Sequence, residues 1–255
     1  MDKYTFRPIG IVHCDAVYTQ ETPRQGSFSR RTAVIELAPE YINALKDISG
    51  VSHIWIIWVF DRVKGWKSTV HPPTADFGVG VFATRSPHRP NPIGITAAKL
   101  VKAEQTKLYV ENIDLLDGTP VLDIKPYITE ADSVPDAVVG WKEQENFAIK
   151  EFSVLDAAQE KAQFVRENSK LDLLETSRVQ LATRMLDPSR QRLTMNGNSG
   201  ILAFRTWRIH FTFDGKSVTV TDIASGYTAQ ELAPDAPDKY GDHDLHRRFR
   251  EKYIQ

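Results

Sequence analysis

The chain has 255 residues, 41% of them hydrophobic and 25% charged, with 32 Lys and Arg against 33 Asp and Glu and a formal net charge of −1. This is the composition of an ordinary globular protein, long enough for one large β domain or for a main domain with a smaller companion. It excludes general disorder and gives no global attraction to a polyanion.

The N-terminal stretch "MDKYTFRPIGIVHC" has no apolar run of signal-peptide length, and no segment approaches the roughly 18 apolar residues of a membrane span. A cytoplasmic protein is the expectation. The single cysteine, Cys14, rules out an intramolecular disulfide and a thiolate zinc cluster, and its expected role is packing in the first strand.

Alternation and β-branched content predict strands near 6–14, 32–38, 52–60, 79–84, 94–103, 107–114 and 121–127. The turn signals "ETPRQG", "DISG", "PPTADFG", "SPHRPNP" and "LDGTP" separate them. Many short strands punctuated by Gly and Pro point to a barrel or a sandwich. Within the first turn, Arg24 and Gln25 stand between a proline and a glycine, a rigid support for several hydrogen-bond donors. "HIWIIWVF" is apolar on both faces apart from its histidine, so a strand covered on each side is expected, at the centre of the fold or under a subunit contact.

"GVFATRSPHRPNPIG", residues 80–94, begins as a buried strand through Val81, Phe82 and Ala83 and then places three prolines around Arg85 and Arg89. Proline fixes its own φ and restricts the residue before it, so the loop loses little entropy when its guanidinium groups are held towards a ligand. Arg85 and Arg89 are therefore candidates to address a carboxylate, a phosphate or a flat ring. In "IDLLDGTPVLDIKPY", Asp117 with Gly118 reads as a turn and Asp123 with Lys125 as a pair. Asp114 ends its strand, where a carboxylate can accept hydrogen bonds from a ligand.

Near residue 150 the texture changes. Ser153 to Leu186 is rich in Ala, Leu, Glu, Gln and Arg and predicts one helix broken near "ENSK", or two joined there, with Ser153 as N-cap and Pro188 as the stop. "FRTWRIHFTF" and "SVTVTDI" around Asp214 and Gly215 predict a hairpin. The expected organisation is a β domain over 1–145, an α+β domain over 146–226, and a tail over 227–255 that is loosely ordered or lies over a neighbour. No G-x-G-x-x-G follows a strand, and there is no Walker sequence, H-E-x-x-H or C-x-x-C, so neither a Rossmann domain nor a metal site is expected. "HDLH" at 243–246 reads as a surface pair.

Four segments in order, "PRQ", "SHIWIIWVF", "GVFATRSPHRPNPIG" and "LDLLDGTPVLDIKPY", resemble the TrmO (TsaA-like) family of S-adenosylmethionine-dependent tRNA methyltransferases over about residues 5–135. The resemblance implies a mainly β protein, an N-terminal non-Rossmann β-barrel with a smaller C-terminal α+β domain. It also implies a homodimer with the cofactor site near the interface, and methylation of the exocyclic nitrogen of threonylcarbamoyladenosine beside the anticodon of tRNA. By position it assigns S-adenosyl-L-methionine to Pro23, Arg24, Gln25, Asp61, Arg62, Arg85, Ile95, Glu111, Asn112, Ile113 and Asp114. The chemistry of the loop adds the expectation that Arg85 or Arg89 positions the substrate by its threonyl carboxylate. Two segments depart from the family pattern. Asp61-Arg62 stands where the family tends to carry His-Gln, and "LDPSRQRLT" stands for the Asp-Pro-Arg-Pro segment. The competing readings are a non-catalytic barrel for a small anion or nucleotide and an RNA-binding module with aromatic stacking platforms.

Overall fold

The computed structural model describes residues 4–23, 25–28, 30–72, 77–142, 150–169, 171–182 and 192–253. The chain forms two compact units, 1–146 and 147–255.

The first unit is mainly β. Its strands are β1 (Gly10–His13), β2 (Thr32–Leu37), β3 (His53–Val59), β4 (Thr69–Val70), β5 (Val79–Gly80), β6 (Ile93–Glu104), β7 (Lys107–Glu111) and β8 (Pro120–Pro126), followed by the one-turn helix α1 (Thr129–Asp132). Six of them close a barrel in the order β1-β2-β7-β6-β3-β8, each hydrogen-bonded pair antiparallel. Closure removes the sheet edges, and the period of two sorts the side chains. Val12, Ile35, Ile54, Ile56, Trp58, Leu108 and Val110 point into the core.

Within the single chain strand β3 has one covered face, so it does not lie at the centre of the fold, and the subunit-contact alternative applies to its other face. Ile54, Ile56 and Trp58 are buried, whereas Trp55, Ile57 and Val59 face outwards and stay half-exposed in the single chain. The segment 79–84 is also shorter as a strand than its apolar run suggests. After Val79–Gly80 it turns into a 3-10 turn over Val81–Ala83, where the Thr84 amide bonds the Val81 carbonyl, and Phe82 is 77% exposed rather than buried. Cys14, just beyond β1, packs as expected. Burial pushes its thiol up to about 11, beyond the range of a reactive thiolate.

The second unit sets helices against a five-stranded sheet. β9 (Glu151–Val154) is followed by α2 (Asp156–Ser169), α3 (Leu173–Ser177) and a π-turn over Arg178–Ala182. Then come β10 (Leu193–Asn196), β11 (Ser199–Phe204), β12 (Trp207–Phe213), β13 (Ser217–Ser225) and α4 (His243–Tyr253). The sheet order is β10-β11-β12-β13-β9, with β9 parallel to β13. The β12–β13 hairpin turns at Gly215, whose φ of +97° requires glycine.

Three expectations fail here. Ser153 is no N-cap, because "EFSV" alternates and joins the sheet through β9, with the Ser153 hydroxyl 2.8 Å from that of Thr219. The expected loose tail carries α4, whose Leu245, His246 and Phe249 are buried in the core of this unit with Trp207. His243 and His246 are likewise buried, not a surface pair. Among the described residues no helix is long and apolar enough to cross a membrane. Nor do the described residues include a group of three or more His, Cys, Asp or Glu that could hold a metal ion.

Candidate cofactor site

The barrel strands bring the "PRQ" turn, the proline loop, β6 and the segment after β7 to one place. β7 ends at Glu111, three residues sooner than predicted, because Asn112 takes a left-handed φ of +64°. That turn buries Ile113 in the core and presents Asp114 inward. Gly26 closes the approach from the other side. A Cβ there would stand 2.3 Å from the Asn112 carbonyl oxygen, so only glycine fits.

Asp114 is the centre of the arrangement. The Thr96 hydroxyl donates to its Oδ1 at 2.6 Å, and the Trp58 indole Nε1–H donates to the Thr96 hydroxyl at 3.0 Å. Burial pushes the Asp114 carboxyl up to about 6. The Thr96 bond, the Arg85 guanidinium and the Gly26 amide hold it from rising further. Arg85 also donates to the Gln25 side-chain carbonyl in a short bond, tying the proline loop to the "PRQ" turn. Pro23 is buried beside it. Arg24 lies outside the described residues, as does most of "LDPSRQRLT".

The remaining assigned residues fall in different places. Ile95 is 49% exposed and points to the opposite face of β6 from Thr96, across from Ile57. The Glu111 carboxylate pairs with Lys99 at 3.1 Å. Asp61 is exposed in the turn after β3. The Arg62 guanidinium donates to the Val17 carbonyl at 2.6 Å and to that of Asp117, clamping two loops together. Asp117 is structural as expected, accepting the Cys14 amide at 3.1 Å, and Lys125 pairs with Asp123 at 2.7 Å.

The two arginines of the proline loop have different partners. Arg85 is exposed and bonded to Gln25, close enough for its charge to lower the Asp114 carboxyl. Arg89 is half-buried, and its Nη1 donates to the carbonyls of Thr84 at 2.7 Å and Val81 at 3.1 Å. Through Nη1 it braces the loop from within, and its remaining N–H donors carry no bond to the loop carbonyls. Thr96 and Trp58 were not among the candidates. The available signal was Gly94, a glycine in the interior of a strand, which marks close approach of another group. A Cβ at Gly94 would lie 2.4 Å from the Trp58 ring.

A largely buried carboxylate beside a guanidinium and an amide side chain suits a zwitterionic ligand that also carries a cation, so the residues present fit S-adenosylmethionine. Fold and site together define a β-barrel binding protein with no Rossmann glycine fingerprint.

The comparisons with known proteins agree. Residues 11–133 match the tRNA-methyltransferase O N-terminal domain. Two Archaeoglobus fulgidus proteins are similar. One, named a probable S-adenosyl-L-methionine-binding protein, is 43% identical over 140 residues, 55% of this chain and 38% of its own length. The other, an S-adenosyl-L-methionine-binding protein, is 40% identical over 128 residues, 50% of this chain and 92% of its own length. The tRNA (adenine(37)-N6)-methyltransferase of Escherichia coli is 37% identical over 148 residues, 54% of this chain and 63% of that enzyme. The crystal structure of TrmO from Pseudomonas aeruginosa superposes with a TM-score of 0.65 at 28% identity, covering 88% of this chain and 99% of that one. The chain belongs to the TrmO family.

Proposed function

We propose that the protein is an S-adenosylmethionine-dependent tRNA methyltransferase acting on the exocyclic nitrogen of threonylcarbamoyladenosine beside the anticodon, as a cytoplasmic homodimer. The observation that carries the reading is the meeting of Gln25, Arg85, Thr96 and Asp114 in one barrel of a TrmO-family chain.

In this reading Pro23, Arg24, Gln25, Asp61, Arg62, Ile95 and the run Glu111 to Asp114 form the walls and rim of the cofactor site, several of them through backbone groups. Bound S-adenosylmethionine supplies an activated methyl group, so the protein's task is alignment, which can lower a barrier by up to ~7–11 kcal/mol. Asp114 offers a negative charge to the cationic part of the cofactor. Arg85 is the residue placed to hold an anion, either the cofactor carboxylate or the threonyl carboxylate of the acceptor, and Arg89 keeps the loop in shape for it.

The dimer is supported by the outer face of the barrel. Trp55, Ile57 and Val59 on β3 lie beside Ile93 and Ile95 on β6, the last two 39% and 49% exposed, an apolar surface that a second copy can cover. Incubating the protein with methyl-labelled S-adenosylmethionine and total tRNA tests the activity. Incorporation into tRNA is expected, and salt-sensitive tRNA binding without incorporation would overturn the enzymatic reading in favour of a binding module.

A further inference from the structure

Tryptophan has one polar atom, and it can only donate. The Trp58 Nε1–H lies 3.0 Å from the Thr96 hydroxyl, so that hydroxyl must accept from the indole, and its own proton is left for the Asp114 Oδ1 at 2.6 Å. The chain of bonds therefore has a fixed direction, from the barrel core outwards to the carboxylate. Trp58 is 8% exposed and Thr96 3% exposed, so bulk water does not compete for either bond. The backbone register makes this possible. Trp58 pairs with Gly94 and Ile56 with Thr96 on adjacent strands, and the missing Cβ at Gly94 lets the indole lie across β6 and reach Thr96.

We propose that Trp58 and Thr96 are positioning residues, a one-way hydrogen-bond relay that presents Asp114 as an oriented carboxylate to a cationic group of the cofactor. The proposal rests on the reading of this pocket as a cofactor site. The fixed direction matters because burial favours a neutral carboxyl. A hydroxyl free to rotate could accept a hydrogen bond from protonated Asp114 and so favour the neutral form, whereas one locked as a donor stabilises the anion.

The charged group facing Asp114 from the proline loop is Arg85, and the turn at Gly26 contributes an amide N–H. β3 and β6 contribute the neutral Trp58 and Thr96. On the segment leading to Asp114, Glu111 is paired with Lys99. Arg31, whose carbonyl receives the Asn112 amide, is paired with Asp15.

The test is a carbon NMR titration of the Asp114 carboxyl in the protein without cofactor, alongside calorimetric S-adenosylmethionine binding from pH 5 to pH 8. Thr96→Val, Thr96→Ser, Trp58→Phe and the wild type are compared. The wild-type midpoint should lie at about 6. Thr96→Val should raise it by about one to two pH units, the size of one lost charge-assisted hydrogen bond, and move the acid limb of cofactor binding by the same amount.

Thr96→Ser should restore both, and Trp58→Phe should give a smaller rise in the same direction. Should Thr96→Val fail to fold, Trp58→Phe and Thr96→Ser still decide the matter. Coincident titration of folded Trp58→Phe or Thr96→Val with the wild type would overturn the relay. Shifted titrations in the variants, with a wild type that binds no S-adenosylmethionine at any pH, would uphold the relay and overturn the cofactor reading on which its role depends.

Discussion

Replacing Gly94 with alanine offers a sharp test of how the site is built into the barrel. The new Cβ would stand 2.4, 2.5 and 2.8 Å from three atoms of the Trp58 ring. Carbon atoms rest about 3.5–4.0 Å apart, so the indole must withdraw by roughly 1 Å. Its hydrogen bond to Thr96, now 3.0 Å, cannot survive that movement. Overpacking costs about 1–3 kcal/mol and the lost buried bond about 1 kcal/mol, a destabilisation of about 2–4 kcal/mol in all. For a unit of this size that corresponds to a fall of about 4–16 °C in its unfolding temperature.

Intrinsic fluorescence during urea or thermal unfolding reads the effect, because Trp55, Trp58, Trp66 and Trp141 lie in the first unit and Trp207 in the second. The transition of the first unit should move and that of the second should not. Adding Trp58→Leu to Gly94→Ala should recover part of the loss, since the two side chains share one space. A Gly94→Ala protein within about 0.5 kcal/mol of the wild type would refute the close packing of indole on strand.

Three further outcomes follow from the same geometry. Asp114→Asn should weaken S-adenosylmethionine binding by about 10–100-fold in calorimetry, the worth of a charged partner, and unchanged affinity would remove Asp114 from the site. Arg89→Ala removes the guanidinium bonds to the Thr84 and Val81 carbonyls, so limited proteolysis should cut the 84–92 loop faster, and an unchanged cleavage rate would contradict the bracing role. In the second unit, Thr206 donates to Asp242 at 2.7 Å, which leaves its hydroxyl to accept from His246 Nε2, while His246 Nδ1 accepts from Ser225 at 2.8 Å. That neutral histidine, held down to about 4 mainly by burial, binds its proton more readily when unfolded. The stability it confers is therefore complete above its ordinary value of 6.5 and declines as pH falls towards 4. The second transition should soften over that window and His246→Gln should flatten the dependence, whereas identical pH profiles would refute it.

The architecture was largely legible because barrel strands advertise themselves by alternation. "HIWIIWV" and "KLYVE" each bury every second residue; the first was read within one residue at each end, and the second starts where it was read and ends three residues early. The meeting of the proline loop, the "PRQ" turn and Asp114 was legible through the family resemblance and the rigidity of the loop, but the division of labour between its arginines was not. Arg89 and Arg85 are chemically identical in sequence. Only the backbone path of Val81 to Thr84 shows that one guanidinium is taken by carbonyls of its own loop.

Thr96 and Trp58 escaped for a related reason. A threonine and a tryptophan facing a barrel interior look like filling until their polar atoms are traced to a carboxylate. Helix α4 was missed because its apolar residues, Leu245, Phe249 and Tyr253, are few among charges, though their spacing of four is helical. Ser153 was misread for the opposite reason, a good N-cap residue inside a four-residue strand too short to show its alternation.

The central claim is that this barrel aligns a methyl donor with a modified tRNA base, and nucleoside mass spectrometry tests it directly. tRNA carrying threonylcarbamoyladenosine is treated with the protein and deuterated-methyl S-adenosylmethionine, digested, and resolved. The account predicts that the label appears on the threonylcarbamoyladenosine nucleoside, and that Arg85→Ala and Asp114→Asn abolish or sharply reduce it. A label confined to any other nucleoside, or none in a wild-type protein that demonstrably binds the cofactor, would contradict it.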